Sequence, residues 1–164
     1  MPGTSTSEVE DVDFAVVAYA EEGAWHLQDF PESALETVDD IARELRRYPG
    51  DHGALVMISV DEDFVLIVRV QGPELSVLLS DATAATDWLL AKSVVDLLGL
   101  PVEDDDEQAP AGDLGIVADL GMPAIDMGVL LDDYDLYPDE VLSAVAHRIG
   151  FGQRFDDHLG LEEE

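Results

Sequence analysis

Apolar and polar positions along the chain fall into two regimes. Up to residue 80 the apolar residues come in short runs separated by turn residues, which predicts β-strands. The runs are Asp13–Ala20, Ala24–Phe30, Ala54–Val60, Phe64–Val70 and Glu74–Ser80. Between the second and third, Leu35, Val38, Ile41, Ala42 and Leu45 share one helical face. Ser33 with Glu36 three residues on predicts an N-cap and capping box, and Pro49-Gly50 a stop. Phe64–Val70 is apolar at every position except Arg69, the pattern of a central strand covered on both sides. A second helix is predicted over Thr83–Leu98, with Trp88, Ala91, Val95 and Leu98 at helical spacing. From residue 113 the pattern turns helical throughout: Asp113–Leu120, Pro123–Leu131 and Pro138–Ile149. Leu114, Val117, Leu120, Leu130, Leu142 and Val145 recur too regularly to face water.

These elements predict an α+β fold in β-β-α-β-β-β-α order, with a C-terminal helical segment packed on it. The two short links among strands three to five impose an antiparallel meander. The order resembles the profilin-like group, including longin and roadblock-type domains, which implies a five-stranded antiparallel sheet with helices on its faces. The expected organisation is a disordered leader at 1–11, an α+β domain at 12–100, an acidic linker at 101–112, a helical segment at 113–155 and an acidic tail at 156–164.

Charge sharpens the picture. The 38 acidic and 7 basic residues give a net charge of −31 on 164 residues. Residues 101–164 alone hold 18 acids and 2 bases, so the shorter part is the denser in charge. Such a field repels phosphate backbones and anionic lipid, and attracts basic proteins and cations. Direct nucleic-acid binding is therefore disfavoured. Composition or salt adaptation would produce the same acidity. With 47% hydrophobic residues a core can form. No apolar run approaches the roughly 20 residues that span a bilayer. The polar, acidic start Met1–Glu10 does not read as a signal peptide. The chain has no cysteine, which removes disulfides and thiolate chemistry and fits a cytoplasmic location.

Chemistry is hard to place. Asp132, Asp133 and Asp135 suggest a calcium loop, but an EF-hand starting at Asp133 would need a ligand at Tyr137 and glycine at Pro138. His26, His52, His147 and His158 lack metal-ligand spacing. No GxSxG and no phosphate-binding glycine loop occurs. No catalytic residue, metal or cofactor is therefore assigned. Trp25 and Trp88 read as core residues. The acids Glu103, Asp104, Asp105, Asp106, Glu107, Asp132, Asp133 and Asp135 are the candidate partner-binding residues.

Several segments together are more specific: Asp11–Tyr19, Leu78–Trp88, Ala111–Gly115, Ala118–Met122, Leu136–Glu140 and Ile149–Gly152. From about Val12 to Phe155 the chain resembles the tRNA adenosine deaminase-associated proteins of actinobacteria. The resemblance implies association with that deaminase, without catalytic residues to carry over. The chain does not resemble the deaminase itself, which needs His-x-Glu and Pro-Cys-x-x-Cys to hold zinc and move protons. Two readings stay open: a non-enzymatic partner of the deaminase, or a general profilin-like interaction module, as a homodimer or scaffold.

Overall fold

The computed structural model describes residues 12–48, 53–60, 64–81, 84, 88–99, 110–133 and 135–159. Six strands form one antiparallel sheet: β1 (Val12–Glu21), β2 (Ala24–Asp29), β3 (Ala54–Val60), β4 (Phe64–Gln71), β5 (Glu74–Leu79) and β6 (Ala111–Gly112). Their order across the sheet is β2-β1-β3-β4-β5-β6. The five α-helices among the described residues are α1 (Val38–Leu45), α2 (Leu89–Leu98), α3 (Ala124–Leu131), α4 (Pro138–Ile149) and α5 (Gly152–Leu159).

Side chains alternate across a strand, so a register row assigns each residue to a face. The row Val17, Val56, Val68, Val77 points to the first face, and the row Ala18, Leu55, Arg69, Ser76 to the second. On the first face, Val38, Ile41 and Leu45 of α1 and Leu90, Ala91, Val94 and Val95 of α2 join one buried cluster with the sheet. On the second, Val117, Met127, Leu142, Val145, Ile149, Phe151 and Phe155 form another with Val16, Leu55, Met57, Ile67 and Leu78. Every residue of β3 is buried, and every residue of β4 but Gln71, because both faces are covered. This accounts for their unbroken apolar runs.

The structure departs from the expected elements in several places. The sheet has six strands, not five. Ala111 and Gly112, read as the end of a linker, pair with Leu79 and Leu78. Gly112 has φ +109, and a Cβ there would strike the Val77 carbonyl, so the close pairing needs glycine. The profilin-like arrangement of five strands is therefore incomplete as a description of this sheet.

The first helix begins at Val38 rather than after Ser33. Thr37, not Ser33, is the N-cap, and its Oγ1 accepts the Asp40 N–H at 3.3 Å. Residues Glu32–Ala34 form a single 3₁₀ turn instead, with Ala34 and Leu35 buried. The second helix begins at Leu89, because Trp88 is extended. Asp113–Leu120 is not an α-helix but a chain of turns ending in a 3₁₀ turn at Ala118–Leu120. Residues 152–159, partly read as tail, form α5, which buries Phe155. The leader at 1–11 and the acids Glu103–Glu107 lie outside the described residues. Among the described residues no helix is long and apolar enough to cross a membrane.

Candidate interaction surface

The described part of the candidate site is the hairpin of α3 and α4. Helix α3 has the sequence AIDMGVLL, apolar at all but one position. Met127 and Leu131, four residues apart, are buried in the second-face cluster. Arg148 of α4 pairs with Asp126 and ties the two helices together. The chain then leaves α3 through Asp132, whose N–H returns to the Gly128 carbonyl.

The loop that follows is held by its own backbone. The Asp133 N–H donates to the Leu130 carbonyl at 3.2 Å, and the Leu136 N–H to the Asp133 carbonyl at 3.2 Å. Asp133 Oδ1 accepts the Asp135 N–H at 3.2 Å, an Asx turn. Glu140 Oε1 accepts the Tyr137 N–H at 2.9 Å, which fixes the start of α4 with Pro138 in its first turn. Asp139 and Glu140 there complement the positive end of the α4 dipole.

Asp132, Asp133 and Asp135 do the opposite. They sit at the negative end of α3, whose last turn carries no basic residue. All three are exposed, and among the described residues none pairs with a basic side chain. Three of the eight predicted binding acids are thus brought together on one loop. Glu103, Asp104, Asp105, Asp106 and Glu107 lie outside the described residues.

Two exposed apolar side chains on α3 lay hidden in a sequence pattern that reads as core. Ile125 is 79% exposed and Val129 67%. Pro123 and Ala124 beside them are exposed too. The continuous apolar run of α3 was the available signal, because a helix packed on one side leaves its other side uncovered.

Elsewhere polar groups serve the fold. Arg69, 2% exposed, projects from the middle of the sheet into the second face. Its Nη1 donates to the Ile116 carbonyl at 2.8 Å, and its guanidinium forks onto Asp119 at 2.6 and 3.0 Å. The capture of the Ile116 carbonyl and the Asx turn in which Asp113 Oδ1 accepts the Gly115 N–H at 2.9 Å together hold residues 113–120 in tight turns.

Ser143, His147 and Asp156 also converge. Ser143 Oγ donates to Asp156 Oδ1 at 2.7 Å, and His147 Nε2 lies 2.7 Å from Asp156 Oδ2. A nucleophilic triad needs histidine between serine and carboxylate. Here the carboxylate is in the middle, so the histidine takes no proton from Ser143. The arrangement latches α5 onto α4, and Gly152 lets the His147 ring lie against it. His26 stacks on Tyr19, and His158 Nε2 lies 2.8 Å from Asp29 Oδ1. Among the described residues no three metal-ligating side chains converge. Trp25 packs on Phe151 at 4.7 Å and Trp88 on Phe64 at 6.0 Å between ring centroids. An open groove of about 600 Å³ runs beside β5, between Leu75 and Val77 and the end of α2 at Leu97.

Fold and surface together define a small acidic α+β protein with one sheet between two helical layers. Over residues 13–152 the chain matches the family described as Rv3753c-like tRNA adenosine deaminase-associated protein, and it belongs to that family. Protein Rv3753c of Mycobacterium tuberculosis (strain ATCC 25618 / H37Rv) is 35% identical over 154 residues, covering 90% of this chain and 89% of that protein. No solved structure matches it.

Proposed function

We propose that the chain is a non-enzymatic cytoplasmic accessory protein that binds the tRNA adenosine deaminase through the acidic loop after α3. The Glu103–Glu107 run is assigned to the same contact. The observation that carries this reading is the exposed trio Asp132, Asp133 and Asp135, set against the α3 dipole without a cation. The family description supplies the partner. A tRNA-binding enzyme presents a basic face, and a chain of net charge −31 is drawn to it. The protein contacts the enzyme and not the RNA.

Calorimetry with the deaminase of the same genome, at low and moderate salt, tests this. Binding that weakens with salt, and weakens further by about tenfold in D132N/D133N/D135N, is expected. No heat with a folded, active deaminase would rule the reading out. The open groove beside β5 favours a second reading, a homodimeric scaffold joined where the two-residue β6 pairs only Leu78 and Leu79 and leaves the start of β5 uncovered. Light scattering tests the second reading directly: a stable homodimer supports it and a monomer removes it.

A further inference from the structure

We propose that the outer face of α3 is a docking site for a cationic amphipathic segment of a protein partner. This deepens the reading of the acidic loop as a protein contact and rests on it. Ile125 and Val129 stand four residues apart, so they form one apolar stripe along the helix. A helix apolar all round belongs in a core, yet among the described residues nothing covers this side of α3. The stripe ends at the loop acids Asp132, Asp133 and Asp135.

This pairing of features selects the occupant. A second copy brings another net charge of −31, and segments 1–11, 100–109 and 160–164 of the chain itself are acidic. Either would set like charges beside the trio. A helix with apolar residues at i and i+4 and with Lys or Arg flanking them meets both requirements. Its apolar residues cover Ile125 and Val129, and its cations offset the acids that crowd the negative end of α3.

The test uses a labelled synthetic Leu/Lys peptide of helical periodicity and a scrambled peptide of equal composition. Both are titrated into the full chain by fluorescence anisotropy at about 0.15 M salt. The patterned peptide is expected to bind at least about tenfold tighter than the scrambled one. The double variant I125Q/V129Q, which raises helix propensity and so keeps α3 formed, is expected to abolish that preference. D132N/D133N/D135N is expected to weaken both peptides. Equal binding of the two peptides, or a preference that survives I125Q/V129Q, would overturn the proposal. So would a wild-type dimer that the double variant converts to monomer, because the occupant would then be a second copy. Parallel titrations with the deaminase separate the two readings. Undiminished deaminase binding by I125Q/V129Q defeats this inference and leaves the proposed function standing. A patterned-peptide preference without deaminase binding defeats only the choice of partner.

Discussion

The two faces of the sheet are covered in different ways. On the first face α1 and α2 present apolar stripes, and a hydroxyl links them: Ser93 Oγ accepts the Val38 N–H at 2.9 Å and donates to the Leu90 carbonyl at 2.6 Å. On the second face turns and three helices of 8, 12 and 8 residues do the covering. Pieces this short, like the first-face helices of 8 and 10 residues, are marginal alone. Those of the second face are fastened by Arg69 to Asp119, Arg148 to Asp126, Asp156 to Ser143 and His147, and His158 to Asp29. One layer is held by shape, the other by shape and directed polar contacts. Both layers leave apolar side chains outside: Leu89 and Leu97 of α2 are 45% exposed, and Ile125 and Val129 of α3 are 79% and 67% exposed.

This contrast can be broken or sharpened by mutation. Leu66 on the first face and Leu142 on the second are both fully buried. Each substitution to alanine is expected to cost about 2–5 kcal/mol in urea unfolding. A much smaller loss at Leu142 would mean that the second layer is not packed as tightly as the first. Asp119→Ala comes next, at about 2 kcal/mol, because it takes a carboxylate from a buried guanidinium; the half-exposed Asp119 keeps the figure below that of a fully buried pair. Combining it with Arg69→Met is expected to restore most of the loss, and a cycle without such rescue would assign Arg69 to packing alone.

Asp156→Ala is expected to cost about 1 kcal/mol. Amide exchange should quicken in α5 and not in α1. The smallest effect concerns Tyr48 on the first face. Burial, then repulsion from Glu44, raises its hydroxyl above the ordinary 10.0. Its contribution to stability is complete below pH 10.0 and is lost as pH rises from there through the raised folded value. Tyr48→Phe should flatten the alkaline stability curve in that window.

The same contrast marks what was legible in the sequence. Strands β1 to β5, helix α4 and the double coverage of β4 follow from local periodicity and turn residues. The start of α1 was misplaced because Ser33 and Thr37 both offer an N-cap, and only the burial of Ala34 and Leu35 decides between them. The 113–120 turns rest partly on Arg69, more than forty residues away in the chain, and partly on a local Asx turn in which Asp113 Oδ1 accepts the Gly115 N–H. Strand β6 is two residues long, too short for any period. Helix α5 did leave a signal, Phe151, Phe155 and Leu159 at four-residue spacing, masked by the flanking glycines and acids. The acid trio was legible as composition. Its neighbours Ile125 and Val129 were not, since a sequence shows which residues are apolar and not which are left uncovered.

The strand order also bears on how quickly the molecule assembles. Pairings β1–β2, β3–β4 and β4–β5 are hairpins that close locally. The seam between β1 and β3, where Val17 meets Val56, joins strands separated by α1 and unites the hairpin with the meander. Closing that longer loop carries the larger entropic cost, so the central seam is expected to form more slowly than the hairpins. The 113–120 turns of the second face take their anchor from Arg69 of β4, so they are expected to set only once that strand is in place.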